Sequence, residues 1–317
     1  MKSFLLWTGS LIVVLSLLSA LVGYWWMPGE LHPLRRPLSA ELIAQFDSTI
    51  RASGAQREDF NVRAPDGILL RGWIVQPAAT LPPDAVSDWV LLFHGVADNR
   101  TGVIGQAGFL LRADYGVVML DSRAQGESDG AMATYGWKER DDVRAIVSTL
   151  ERKTHAGCIF ELGVSMGASI ALQAAATEPR VAGVAAESPF SDIREAAYDY
   201  AGFHWSPWLG RTFFRPAVVA GLYAAEREGG FSASEISPVH AVRERDFPIL
   251  LIADGLDTTL PLRHAQLIYD SATGPRQLWV VPKSAHASAL GTAPEEYQRR
   301  VLEFFAGIKS ERGCSNN

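Results

Sequence analysis

Two cysteines in 317 residues are too few for a disulfide framework or a four-thiolate zinc site. Cys158 reads as a small buried hydrophobe. Cys314 lies in a polar tail, where Ser315 and Asn316 are not the aliphatic pair that a prenylation box needs. Positive charge is also short, with 29 basic against 35 acidic residues and a net charge of −6. That balance excludes the usual nucleic-acid binder, whose affinity comes from Lys and Arg neutralising phosphates. No internal repeat is visible. With 48% hydrophobic and 20% charged residues, the chain has too much apolar material to be disordered or collagen-like.

Charge is missing altogether from Phe4 to Met27, 24 consecutive positions. As a helix this run spans roughly 36 Å, enough for a bilayer core of about 30 Å. A cleaved signal peptide needs a shorter apolar stretch followed by small residues, but Leu21 and Val22 occupy those places. A core helix of a soluble domain needs a polar face, which this run lacks. The expectation is an uncleaved anchor over 1–27. Trp25 and Trp26 sit at headgroup level, and Pro28-Gly29 stops the helix. Lys2 and the amino terminus flank one side and Arg35 and Arg36 the other, so the positive-inside count is nearly balanced. The orientation expected is a cytoplasmic N-terminus with the remainder outside the inner membrane.

A Pro-rich connector over 28–58 precedes one large domain over 59–312, with a tail at 313–317. Apolar runs at Trp89–Phe93, Val117–Leu120, Cys158–Leu162, Val181–Ala186, Pro248–Ala253 and Gln277–Val281 alternate with helical patterns at Trp137–Lys153, Ala168–Thr177 and Pro294–Ile308. Alternation of this kind calls for a mostly parallel sheet of about eight strands with helices on both faces. A hairpin around Pro65-Asp66-Gly67 opens the domain. The stretch 188–238 is aromatic-rich and has no strand pattern, so it reads as an inserted helical cap. Its Tyr198, Tyr200, Phe203, Trp205, Trp208, Phe213 and Phe214 either line an apolar acyl pocket or pack the cap onto the sheet.

Two segments match G-x-S-x-G: Gly163-Val164-Ser165-Met166-Gly167 and Gly126-Glu127-Ser128-Asp129-Gly130. A nucleophilic serine belongs on a sharp strand-to-helix turn, where side chains in place of the glycines would clash. The first match follows a strand and opens an alanine-rich helix, whose positive end faces the site. The second starts no helix and places its serine between two acids. Ser165 is therefore the candidate nucleophile.

A serine hydroxyl needs a base, and the base an orienting carboxylate. Among the downstream histidines, His204 falls in the cap and His240 precedes the last carboxylate-bearing strand end. His264 reads as an exposed helix position. His286 follows a strand within a loop of small residues, so it is the candidate base. Asp254 and Asp257 both follow the end of Pro248–Ala253, where open α/β sheets place their sites. Spacing alone does not separate them, and before Gly255 an ordinary turn role suits Asp254. Two backbone N–H groups must meet the oxyanion. Those of Met166 and of Val96, in the loop after Trp89–Phe93, are the candidates. His94 reads as a brace for that loop.

With Pro65-Asp66-Gly67, Leu70-Arg71-Gly72-Trp73, Phe93-His94-Gly95, Asp121-Ser122-Arg123-Ala124-Gln125-Gly126-Glu127-Ser128, Gly163-Val164-Ser165-Met166-Gly167, Asp257, Pro261 and His286, the chain resembles the α/β-hydrolases. The resemblance is to the serine aminopeptidase and prolyl-oligopeptidase-like branch and to membrane-anchored α/β-hydrolase-domain proteins. It spans about Phe60 to Phe305 and aligns the acid of a Gly-x-x-Asp-x-x-x-Pro loop with Asp257. The chain departs from the family at Asp254, Ala285 and Ala124, where glycine is usual. The resemblance implies acyl transfer to water by Ser165, His286 and Asp257, with no metal or organic cofactor. The implied partner is a small-molecule acyl substrate, an ester or thioester before an amide. Asp121 and Arg123 are structural in that family. A non-catalytic binding module on the same scaffold is the alternative of a different class.

Overall fold

The computed structural model describes residues 2–52, 54–77, 87–202 and 206–312. In chain order the elements are α1 (Lys2–Trp26), α2 (Ala40–Ala52), β1 (Gln56–Arg63), β2 (Leu69–Gln76), β3 (Ser87–Phe93), α3 (Ile104–Arg112), β4 (Gly116–Leu120), α4 (Glu139–Lys153), β5 (Ala156–Val164), α5 (Met166–Thr177) and β6 (Val181–Glu187). Then follow α6 (Ile193–Ala201), α7 (Pro207–Arg211), α8 (Arg215–Gly229), α9 (Pro238–Glu244), β7 (Ile249–Asp254), α10 (Arg263–Ser271), β8 (Arg276–Val281), α11 (Ala289–Thr292) and α12 (Pro294–Arg312).

The eight strands form one sheet in the order β1-β2-β4-β3-β5-β6-β7-β8. β1 and β2 pair antiparallel, as do β2 and β4, and all later pairs are parallel. Parallel strands buried on both faces need apolar residues at every position. β4 and β6 are buried along their whole length, and only Glu187 at the end of β6 is polar. The two-residue period of a strand sends successive side chains to opposite layers. Trp89, Leu91 and Phe93 join the layer built with α4 and α5, while Val90 and Leu92 join the layer built with α3 and α12. In the second layer Phe160 stacks on Phe305 with centroids 4.4 Å apart.

The sheet, its flanking helices and the long helical excursion between β6 and β7 match the expected architecture. Element ends shift by a few residues; β5, for instance, continues to Val164. α1 is long and apolar enough to cross a membrane. The connector is not a loose tether. Ala133 N–H donates to Leu31 O at 2.8 Å, Tyr135 Oη–H to Glu30 O at 2.7 Å, and Arg35 Nη2–H to Gly130 O at 2.6 Å. Asn99 Nδ2–H donates to Arg36 O at 3.1 Å. His32 bridges Ala131 O and the Glu228 carboxylate, and the hydrogen bond to Glu228 raises its pKa.

Candidate active site

β5 runs straight into α5 with Ser165 as the joint, and the joint is strained. Ser165 has φ +55° and ψ −118°, a region that side chains other than glycine rarely occupy. The flanking glycines follow from close approach. A Cβ on Gly163 would lie 2.3 Å from the carbonyl oxygen of Gly167, and one on Gly167 would lie 2.4 Å from that of Phe93. Ser165 N–H donates to Glu187 O at 2.8 Å, which ties the turn to the end of β6.

The structure brings three of the candidate residues together from three strand ends. Ser165 Oγ lies 2.8 Å from His286 Nε2, and His286 Nδ1 lies 2.6 Å from Asp257 Oδ2. A carboxylate only accepts, so Nδ1 carries the proton and Nε2 is left to receive that of the serine. The other oxygen of Asp257 accepts the N–H groups of Thr259 and Leu260, both at 2.8 Å. The Asp257 side chain is wholly buried, whereas a quarter of the His286 side chain is exposed. An imidazole accessible on one side and anchored on the other suits a base that must exchange protons with substrate.

Of the two candidate oxyanion donors, Met166 directly follows the serine and Val96 follows a glycine that approaches it. Met166 opens α5, so its N–H has no acceptor within the helix. Gly95 approaches Ser165 closely, a Cβ built on it lying 3.6 Å from that of the serine, and Val96 follows it on the same loop. His94 is fully buried and braces this loop. Its Nδ1–H donates to Gly95 O at 2.7 Å, and its Nε2 accepts the Ser122 N–H at 3.0 Å. Burial lowers its pKa, so it stays neutral.

Ser128, in the second G-x-S-x-G, is a buried staple whose Oγ donates to Asp121 O at 2.6 Å and accepts the Arg71 N–H at 2.9 Å. Asp121 accepts from Arg100 N and Nη1 at 2.7 and 2.6 Å. Arg123 grips Asp142 with two hydrogen bonds at 2.8 and 2.6 Å. All three residues hold loops.

Three sequence expectations change. Asp254 does open a turn, its carbonyl accepting the Asp257 N–H at 3.1 Å, but its side chain has a second role. It is buried, and its Oδ2 accepts Ser188 Oγ–H at 2.7 Å and Ala287 N–H at 2.9 Å, bracing the histidine loop from below. His264 is not exposed but buried in the joint between cap and sheet. Its Nδ1 accepts the Ser191 N–H at 3.1 Å, with Ser191 Oγ at 2.8 Å, and its Nε2–H donates to Asp199 Oδ2 at 2.9 Å. A helix pattern gives no hint of that partner, which lies 65 residues away. Burial works against an ionised Asp199, but the His264 hydrogen bond and the charge of Arg263 outweigh it and hold its pKa below the usual value. Finally, Trp208 and Phe213 point to solvent, 67% and 58% exposed, so neither lines a pocket nor packs the cap on the sheet. Phe203, His204, Trp205 and Cys314 lie outside the described residues.

Sequence reasoning missed Glu187 because the expected strand stops at Ala186. Glu187 ends β6 fully buried, with Oε1 accepting Ala289 N–H at 2.9 Å and Oε2 accepting Tyr297 Oη–H at 3.0 Å. Burial first, and then the nearby Asp254 charge, push its pKa up to about 7. Cys158 is buried as expected, but it is also disulfide-bonded. Among the described residues no cluster of His, Cys, Asp and Glu is suited to a metal ion.

Comparison with known proteins places this geometry in context. YqkD of Bacillus subtilis is 27% identical over 254 residues, covering 78% of this chain and 79% of that protein. YfhR of Escherichia coli K12 is 23% identical over 252 residues, covering 78% and 80%. Among solved structures, the Pyrococcus furiosus esterase Pf2001 superposes with a TM-score of 0.68 at 23% identity, over 87% of this chain and 97% of that one. The Pyrococcus horikoshii acylaminoacyl peptidase superposes with a TM-score of 0.64 at 18% identity, over 84% of this chain and 43% of that one. At such identities these structures speak for the fold. The serine aminopeptidase (S33) family matches residues 84–246, a segment that holds the Ser165 elbow and stops short of Asp257 and His286. With that match over half its length and the eight-stranded sheet around it, the chain belongs to the serine aminopeptidase (S33) family of α/β-hydrolases.

Proposed function

We propose that the protein is a serine hydrolase that cleaves carboxylic esters or thioesters through an acyl-enzyme on Ser165. The observation that carries this reading is the unbroken chain from Ser165 Oγ through His286 to Asp257, with contacts of 2.8 and 2.6 Å. Ser165 attacks the acyl carbon as its proton passes to His286 Nε2. The imidazolium is stabilised by Asp257, and the oxyanion meets the N–H groups of Met166 and Val96. Collapse of the tetrahedral intermediate expels the alkoxide or thiolate, to which His286 returns the proton. Water, deprotonated in turn by His286, then releases the acid and restores the serine.

α1 acts as an uncleaved anchor in this reading, with the catalytic domain outside the inner membrane. The docked connector supports a helix that stays attached, and the disulfide at Cys158 suits an oxidising compartment. Protease added to intact spheroplasts should degrade the domain; full protection overturns the orientation.

Fluorophosphonate labelling tests the site. Wild type should label and Ser165→Ala should not, with at least a ~10³-fold fall in ester turnover. Labelling that persists in the variant overturns the assignment. A p-nitrophenyl ester series should show kcat/KM rising with acyl length, and a preference for acetate rejects an apolar acyl substrate. Amide cleavage is the second reading, favoured by the matched family's description as serine aminopeptidase. Faster turnover of aminoacyl arylamides than of matched esters would establish it.

A further inference from the structure

α8 runs alongside the end of α1, and the two chains advance together. Gly23 packs on Ala217 so tightly that a Cβ there would sit 2.0 Å from the Ala217 oxygen. Four residues on along both segments, Gly221 meets Met27, just past the end of α1, and a further four on, Leu31 and Ala225 share one apolar cluster. The close approach is made by small residues, Gly23 on α1 against Ala217 and Gly221 on α8. Such residues let helix backbones approach closely in a membrane as well as in water. Parallel packing means that the N-terminal end of α8 points back down α1. Gly23 lies about 6 Å below Met27 at about 1.5 Å rise per residue, so Ala217 lies below the level of Trp25 and Trp26. Phe213 and the α7 turn stand at the lower end of α8.

Exposed apolar side chains gather at that end. Trp208, Phe213 and Val219 are 67%, 58% and 53% exposed, and the flanking Trp25 and Trp26 are also bare. Exposed Arg215 lies between them, a cation placed to reach headgroup phosphates. The connector after α1 is hydrogen-bonded to the domain at Gly130, Ala133 and Tyr135. The apolar cluster that holds Leu31 and Ala225 also holds Leu260, whose N–H donates to Asp257 Oδ1 at 2.8 Å.

From this arrangement we infer that the cap is a membrane-docking face. α7 and the start of α8 sit in the headgroup and upper acyl region of the bilayer that α1 spans, and the site receives amphiphilic acyl substrates from that leaflet. The inference rests on the anchor reading of α1. Its occupant is lipid because the face continues a helix that can itself cross the bilayer, at a depth that interfacial segments reach, about 5–10 Å.

The test uses the full chain in phosphatidylethanolamine/phosphatidylglycerol vesicles doped with phosphatidylcholine bearing an acyl-chain diazirine. Photolysis and peptide mass spectrometry map the lipid adducts. Adducts on α1 and on residues 206–219 are expected, and in Trp208→Glu/Phe213→Glu those on 206–219 should fall at least five-fold while those on α1 persist. Adducts on α1 alone overturn the docking face and leave the anchor intact. So does crosslinking of 206–219 to a second copy of the chain. Undiminished adducts in the double variant overturn the role of these two side chains and with it the inference. No adducts anywhere, with the protein recovered in the soluble fraction, overturn the anchor reading and the docking face together.

Discussion

Asp254 Oδ2 accepts the N–H of Ala287 at 2.9 Å, one residue beyond His286. With Ser188 Oγ–H at 2.7 Å on the same oxygen, this carboxylate fixes the loop that carries the imidazole. Asp254→Ala should therefore act through His286. The expected result is a fall in kcat of about ten-fold or more with KM within three-fold, and slower fluorophosphonate labelling of Ser165. Loss of the buried hydrogen bonds should lower stability by roughly 1–3 kcal/mol. Asp254→Asn, which keeps an acceptor, should recover part of the rate. Rates that track stability alone in both variants would reduce Asp254 to a structural role.

Glu187 makes stability depend on pH in an unusual direction for a carboxylate. Its pKa is about 7 in the folded protein, raised first by burial and then by the Asp254 charge. Below about pH 4.5 the group is protonated whether folded or not, and it carries no penalty. Between there and pH 7 the unfolded chain releases the proton while the folded one holds it, so stability falls as pH rises. The total is on the order of 3 kcal/mol at about 1.4 kcal/mol per unit. Thermal unfolding from pH 4 to pH 8 should show Glu187→Gln gaining on the wild type as pH rises. Parallel curves for the two proteins would reject this titration.

At the elbow, Gly167→Ala would force a Cβ within 2.4 Å of the Phe93 oxygen, and backbone cannot yield as a flexible side chain does. A cost of about 1–3 kcal/mol or more is expected, with Tm lowered by several degrees. Gly291 has nothing within 4 Å of its Cβ position, so Gly291→Ala should change Tm by no more than about a degree. Calorimetry of the pair separates steric conflict from a general intolerance of alanine.

The cap is pinned through Asp199, which accepts from His264 at 2.9 Å and from Arg211 at 3.3 Å and also pairs with Arg263. Removing this buried acceptor leaves cationic and polar groups without their partner, at a cost of about 3–5 kcal/mol. Asp199→Ala should speed hydrogen exchange in α6 to α8 at least ten-fold while the exchange of β3 to β6 changes little. Uniform exchange across the domain would show that the network does not hold the cap separately.

The disulfide at Cys158 bears on the side of the membrane. Protein isolated from intact cells under alkylating, non-reducing denaturation should carry no label on Cys158, and should take it up after reduction. A Cys158 thiol alkylated at once would place the domain in a reducing compartment and overturn the external orientation.

Local chemistry was legible without coordinates wherever it is written in contiguous residues. The strand-turn-helix at Ser165 announced itself through its glycines and apolar flanks, and the expected strands recur with ends moved by a few residues because fraying ends carry little periodic signal. The unbroken apolar run of α1 was equally plain, since nothing folds between its residues. Spacing alone did not choose Asp257 over Asp254, because both follow the same strand end; only the family resemblance favoured Asp257. Tertiary structure separated them by placing Asp257 beside the imidazole and Asp254 beneath the neighbouring N–H. His264 and Glu187 stayed hidden for the same reason, as their partners lie 65 and about 100 residues distant. Sequence alone determined the main strands and which serine sits at the strand-to-helix turn, since both depend on neighbours along the chain. Only the folded chain decided which buried carboxylates serve the histidine and how the cap lies against α1, because those relations depend on loop closure and packing between segments remote in sequence.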